Sequence, residues 1–192
     1  ATIPAQAYNT RIDYSISATD ASLAANVATN TGNWFFIKKP APVAIIGTGT
    51  SSSGYAPVYG WYHYSWSEQI YSAAEIAMSG MIDSIFFQVA SVTSPYEMLN
   101  QSIYLSSTAV SELSVSALPD TASMTRIYTG TYTFNNTGWT KIPLATPYFY
   151  NGTDNLHIVW INKDGSYASG YPVFNYTTTT GLGNSRIRRF DF

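Results

Sequence analysis

The sequence contains no cysteine. Disulfides, thiolate metal sites and cysteine nucleophiles are therefore excluded, whatever compartment the chain occupies. Charge is nearly as scarce. Only 10% of the residues are Asp, Glu, Lys or Arg, against roughly 25% in an ordinary soluble domain. The formal net charge is −2, which gives no electrostatic hold on nucleic acid or on an acidic membrane surface. Long apolar runs are missing as well. The longest, Ala41–Gly47, is interrupted by Pro42 and falls far short of the roughly 18 residues that a membrane-spanning helix needs. No G-x-S-x-G is present, and no nucleophile–base pair, phosphate loop or metal set can be assembled from the residues as written. The carboxylates that glycoside hydrolysis would need stand singly in turns or on exposed positions, so the expectation is a protein that is not an enzyme.

Aromatic residues and small polar ones are abundant instead. The chain has 16 Tyr, 5 Trp and 9 Phe in 192 residues, more than a sandwich core requires. They are densest in residues 54–66, GYAPVYGWYHYSW, where Tyr59, Trp61, Tyr62, Tyr64 and Trp66 crowd together. Aromatic side chains carry large apolar area, with a polar tip on Tyr and Trp. This stretch can form a core strand, a surface for stacking sugar rings, or both on alternate residues. These five residues are the candidate carbohydrate-binding set.

Periodicity points to strands almost throughout. Arg11–Ser17 alternates Ile12, Tyr14 and Ile16 against polar neighbours, as a half-buried strand does, and Asn33–Lys38 (NWFFIK) is a second strand candidate. Residues 1–46 otherwise read as an N-terminal arm or added hairpin, with Tyr14, Trp34 and Phe36 as its candidate assembly contacts. The run Lys39-Pro40-Ala41-Pro42 breaks regular structure. After a turn-rich stretch at residues 47–54, strands are expected at Trp61–Trp66, Ile82–Ala90, Gln101–Ser106, Thr125–Phe134, Trp139–Leu144, Leu156–Asn162, Tyr171–Tyr176 and Asn184–Phe192. Pro143 argues for an edge or a bulge. Ile70, Ala73, Ala74, Ala77 and Met78 stand at helical spacing, which predicts one short helix over Ile70–Met78 ended by Gly80. Ser111–Leu118 is a further candidate turn of helix. Short strands with turns every 8–12 residues predict an all-β, jelly-roll-like β-sandwich over residues 47–192.

The order of features from Gly47 to Phe192 resembles a known family. GTGTSSSGYAPVYG is followed by the aromatic stretch, by QIYSAAEI at Gln69–Ile76, by IDSIFFQV, and by TGWTKIPLATPYFYNGTDNL. This is similar to the non-catalytic β-sandwich module repeated in secreted surface proteins and hydrolases of gliding, type-nine-secreting bacteria. The resemblance implies a jelly-roll-like domain used for attachment or glycan contact. Residues 1–46 lie outside it. The chain opens on Ala1 rather than Met, as a processed secreted protein does, or a piece cut from a longer one. An extracellular or cell-surface location is expected, with a virion surface as the alternative. The partner is expected to be a glycan or surface polymer. The second reading is a structural subunit of a filament, fibre or virion that contacts copies of itself through the arm.

Other candidate chemistry is thinner. His63 and His157 fall in different expected strands, with no second His or carboxylate at a ligand spacing, so each reads as an ordinary strand position. Asp154 and Asp164, with Asn151, Asn155 and Asn162, offer oxygen atoms of the kind Ca²⁺ takes, although Asp and Asn are also the usual turn formers. Arg186, Arg188 and Arg189 form the basic cluster near the C-terminus; Arg186 and Arg188 share a strand face and could pair with a carboxylate or an acidic glycan, an ordinary inter-strand ion pair being the first expectation. Four N-x-S/T sequons, at Asn100, Asn135, Asn151 and Asn175, are close to what chance gives in a chain so rich in Asn, Ser and Thr.

Overall fold

The structure is a computed structural model that describes residues 11–37, 42–113, 119–178 and 185–190; for residues 31–34, 36 and 185–190 it describes the backbone alone. The chain divides into two compact units, Ala1–Val43 and Ala44–Phe192.

In the first unit, β1 (Arg11–Thr19) and β2 (Val27–Ile37) form an antiparallel hairpin. Its turn is organised by the Asp20 carboxylate, which accepts from the amides of Ser22 and Asn26 and from the Ser22 hydroxyl at 2.6 Å. Asn26 Nδ2 donates to its other oxygen at 3.0 Å, and these donors, the Ser22 hydroxyl first and the Asn26 side chain next, hold Asp20 below the usual carboxylate range. Tyr14 stands opposite Trp34 and Ile12 opposite Phe36 in the backbone register. The expected half-burial fails at Tyr14 and Ile16, which are exposed, because a two-stranded hairpin has no second layer of its own on which to bury a face. The side chains of Trp34 and Phe36, and Lys38 entirely, lie outside the described residues. On the opposite face the Arg11 guanidinium sits 4.3 Å from the centre of the Phe35 ring and 2.7 Å from Asp13.

The second unit is an all-β sandwich. Its strands are β3 (Ser51–Ser53), β4 (Tyr64–Tyr71), β5 (Gly80–Ser91), β6 (Tyr96–Thr108), β7 (Thr125–Phe134), β8 (Gly138–Tyr150), β9 (Asn155–Asn162), β10 (Val173–Tyr176) and β11 (Ser185–Phe190). They form a five-stranded sheet in the order β11-β4-β9-β6-β7 and a four-stranded sheet in the order β3-β10-β5-β8. Every described pairing in the two sheets is antiparallel. Only β6 and β7 are sequential strands paired with each other; elsewhere the chain passes from one sheet to the other at each step, in jelly-roll manner. The core between the sheets is built from Ile103, Leu105, Ile158 and Trp160 on one side and Val89, Ile142 and Phe174 on the other, joined by ring contacts of Trp160 with Phe87 and Phe134.

Several local features follow directly from sequence. β9 lies in the middle of the five-stranded sheet, buried on its inner face and at least half-buried on the other, so LHIVWIN reads as an almost unbroken apolar run. β8 is a sheet edge, and its register against β5 slips beside Pro143, where a missing amide proton costs least. In β7, both Ile127 and Phe134 are buried although they have opposite parity. Register shifts between β6 and β7 change which face each residue meets.

The helix is shorter than its spacing predicts. α1 covers only Ala73–Ile76, capped by Ser72 in a capping box with Glu75, and it ends at Ala77 in the left-handed region (φ 51°) rather than at Gly80. Ile70 belongs to β4, because its neighbours are held in the ladder with β9. The aromatic stretch is corrected too: Trp61, Tyr62 and His63 precede the strand, which starts at Tyr64. Residues 111–113 are not helical, and 114–118 lie outside the described residues. Among the described residues no helix is long and apolar enough to cross a membrane.

Candidate functional site

The inward face of β4 is polar. Ser65, Ser67 and Gln69 share it, and in the ladder Ser65 stands opposite Asn162 of β9, which stands opposite Gln101 of β6. Ser65, Asn162 and Gln101 therefore form one rank across three strands at the end of the core, all buried. A buried polar group must be hydrogen-bonded, and these find partners in the backbone of the loop that precedes β4. The Ser65 hydroxyl donates to the carbonyl of Tyr59 at 3.0 Å, and the Ser67 hydroxyl to that of Pro57. Asn162 Nδ2 donates to the carbonyls of Tyr59 (3.3 Å) and Tyr62 (3.2 Å). Its Oδ1 accepts from Gln101 Nε2 at 2.6 Å and from the amide of Asp164 at 3.0 Å. Trp160 Nε1 donates to Gln101 Oε1 at 2.8 Å. The Tyr96 hydroxyl completes the set by donating to the carbonyl of Gly60 at 2.8 Å.

Two loops, residues 54–63 and 163–172, are fixed by this network, and they carry the aromatic side chains to one end of the sandwich. Tyr59 is at the centre: its ring centroid lies 5.0 Å from that of Tyr55, 5.3 Å from Tyr62 and 5.4 Å from Tyr171. Trp61 meets Tyr171 at 5.8 Å and Tyr167 at 6.4 Å, and His63 meets Tyr167 at 3.9 Å. The close approach needs glycine at two places. A Cβ on Gly60 would stand 2.9 Å from Tyr171 Cβ, and Gly170, at φ +81°, would drive a Cβ into the Thr93 side chain.

The five candidate sugar-stacking residues separate into two groups. Tyr59 and Trp66 are 7% and 3% exposed; Tyr59 is the hub of the loop and Trp66 lies on the outward face of β4, and neither offers an open ring face. Trp61 is 41% exposed, and Tyr62 and Tyr64 are half-buried. The structure adds Tyr55 and Tyr167, 46% and 48% exposed. Tyr167 lies in a loop more than a hundred residues downstream in sequence, and only the pairing of β4 with β9 brings it beside Trp61. A second group of exposed apolar side chains, including Phe86 and Trp139, lines the outward face of β5 and β8; among the described residues no ring contact links these two.

The calcium set does not assemble. Asp154 and Asp164 flank opposite ends of β9, an 8-residue strand of about 26 Å. The carboxylates serve different places, Asp154 accepting within its own turn from Asn151 Nδ2, and Asp164 from the amide of Leu99 in β6 and from the Ser166 hydroxyl. Among the described residues no group of three or more His, Asp or Glu side chains could hold a metal.

The histidines also differ from expectation. His63 is in the loop rather than on a strand. His157 does meet a carboxylate: its Nε2 lies 3.2 Å from Glu68 Oε2, on the outward face of the β4–β9 ladder. The partners are 89 positions apart, so no local spacing could reveal them. The backbone register sets Arg186 of β11 opposite Glu68 and Arg188 opposite Trp66.

Burial pushes the Tyr96 phenol up to about 12, with Asp164 and Tyr171 adding to the effect, and burial likewise pushes Tyr71 and Tyr132 up to about 12. An unfolded tyrosine ionises near 10.0, so these side chains favour the fold while neutral. Their contribution is complete below pH 10 and is lost as pH rises toward 12. The expected outcome is a stability curve that falls from about pH 10 upward, with tyrosinate absorbance appearing in step with unfolding for part of the Tyr population. Tyrosinate formed completely and reversibly in the folded protein near pH 10 would contradict it.

In class, then, the second unit is an all-β sandwich carrying an anchored aromatic cluster on two end loops. Comparison with protein-family models, curated proteins and solved structures finds no match to this chain.

Proposed function

We propose that the chain is an extracellular, non-catalytic attachment module that contacts carbohydrate through the aromatic cluster on loops 54–63 and 163–172. The observation that carries this reading is a group of partly exposed rings, Tyr55, Trp61 and Tyr167, in which Trp61 is flanked by the carbonyls of Tyr59, Gly60 and Tyr62, held by the buried side chains of Ser65, Tyr96 and Asn162 from three strands. Rigid aromatic faces with fixed orientation are what sugar stacking requires, since little freedom is lost on binding. The low charge and the resemblance to the surface modules of type-nine-secreting bacteria support the same reading. A glycan array tests it: the protein is expected to retain a subset of glycans, and Trp61→Ala to weaken that binding about ten-fold or more with little change in Tm. An array without signal, or signal untouched by Trp61→Ala, would contradict the reading.

The hairpin favours a second reading, a subunit of a surface assembly such as a fibre or virion decoration. Tyr14, Ile16, Val27, Phe35 and Ile37 are all exposed on a two-stranded sheet, with Tyr14 on one face and Phe35 and Ile37 on the other, and so much exposed apolar area marks a contact surface. Light scattering after size exclusion is expected to show a multimer that deletion of residues 1–39 reduces to monomer. A full-length monomer would remove this reading.

A further inference from the structure

We infer that the aromatic cluster takes the end of a soluble, neutral oligosaccharide rather than the face of a crystalline polysaccharide or an acidic glycan. The inference rests on the carbohydrate reading above and adds the shape and charge of the ligand. A crystalline polymer presents a flat array of sugar faces, and a protein that holds it needs rings lying in one plane. The rings of this cluster do not. Trp61 and Tyr167 are inclined at 61°, Trp61 and Tyr171 at 69°, and Tyr62 and Tyr167 at 56°. The least inclined contact, His63 with Tyr167, is still 48° from parallel.

The inclination cannot be relaxed cheaply, because the backbone of Tyr59, Gly60 and Tyr62 is tied to Asn162, Ser65 and Tyr96. Trp61 and Tyr167, both substantially exposed, meet edge to face with ring centroids 6.4 Å apart. A corner of this kind suits the end of a sugar chain, one aromatic ring stacking on a pyranose face and the other closing on its edge.

Charge points the same way. Residues 54–63 contain no Lys, Arg, Asp or Glu, and the loop 163–172 carries one charge of each sign, Lys163 and Asp164. The nearest carboxylate along the second loop, Asp164, is occupied by the Leu99 amide and the Ser166 hydroxyl. A uronate or a sulfated sugar would lose hydration between these rings and gain at most the exposed Lys163, whose charge Asp164 beside it offsets, so the ligand is neutral.

The test uses the full chain and three kinds of probe: soluble neutral oligomers (cello-, chito-, xylo-, manno- and laminari-series), the insoluble polymers microcrystalline cellulose and chitin, and acidic oligomers of alginate and pectin. Calorimetric titration is expected to detect at least one neutral oligomer, with affinity nearly independent of salt, while the insoluble polymers leave the protein in the supernatant. Trp61→Ala and Tyr167→Ala should each weaken the neutral oligomer about ten-fold or more; both residues are exposed, and an unchanged Tm would confirm that each variant folds. Trp61-dependent depletion by a crystalline polymer, or Trp61-dependent binding of an acidic oligomer that salt abolishes, would overturn this inference and leave the carbohydrate reading standing. Failure of every probe would overturn both.

Discussion

Replacing Trp160 with alanine is expected to remove about 3–5 kcal/mol of stability and to lower Tm by about 10–15 °C. Trp160 is fully buried in the middle of β9. Its ring lies 5.9 Å from that of Phe87 across the sandwich and 6.4 Å from Phe134, so its loss opens a cavity between the two sheets. The indole also donates to Gln101 Oε1, and Gln101 in turn supports Asn162. Trp160→Phe separates the two contributions. It keeps a six-membered ring and removes the pyrrole portion with its N–H donor, so it opens a much smaller cavity, and it is expected to cost about 1–3 kcal/mol, chiefly by leaving a buried acceptor without its bond. Denaturant unfolding of both variants checks this. Equal losses would mean that the cavity contributes little, and a Trp160→Ala protein as stable as its parent would refute the packing described.

Asn162→Ala is expected to be nearly as severe, at about 2–4 kcal/mol. The residue is 1% exposed and makes four hydrogen bonds, two accepted and two donated. Truncation takes the side-chain partner from the Tyr62 carbonyl and the Asp164 amide, and leaves the Tyr59 carbonyl to Ser65 and Gln101 Nε2 to the Leu99 carbonyl. The effect should be local as well as global: amides of residues 54–63 should exchange faster with solvent, and any glycan binding by the cluster should weaken in parallel. A variant within about 0.5 kcal/mol of the parent, with loop exchange unchanged, would mean that the loop holds its shape by ring packing alone.

These two residues show where the sequence could and could not be read. The strands were legible because turn residues punctuate them: Asn135–Gly138 and Asn151–Asn155 fall between β7 and β8 and between β8 and β9, and β7 runs over the whole of the predicted Thr125–Phe134. The orientation of β4 was not legible. In YSWSEQIY the apolar Trp66 and Ile70 invite an inward assignment, yet Ser65, Ser67 and Gln69 share the inner face with Asn162 and Trp160. The inner surface there covers a loop backbone rather than an opposing strand, and carbonyls call for donors, not methyl groups. Only the position of the loop could have revealed this.

Candidate residues fared according to how local their arrangement was. The crowding of Trp61, Tyr62 and Tyr64 was visible because the aromatic stretch is continuous in the sequence. Tyr167 could not be found, nor could the Glu68–His157 contact, because each depends on pairing between strands far apart in the chain. The Asp154 and Asp164 pair failed for the converse reason: the two are close in sequence but separated by the length of a straight strand. The helical spacing of Ile70–Met78 misled because an alternating strand and a single capped turn follow one another without a break.

The most direct test of the proposed site is a titration with a bound neutral oligosaccharide, followed through the side-chain N–H resonances of the five tryptophans. The expected result is that the Trp61 indole shifts while those of the buried Trp66 and Trp160 and of Trp139, exposed on the outward face of the other sheet, stay in place. A shift of Trp139 with Trp61 unmoved would put binding on the sheet face and contradict the assignment of the aromatic loops.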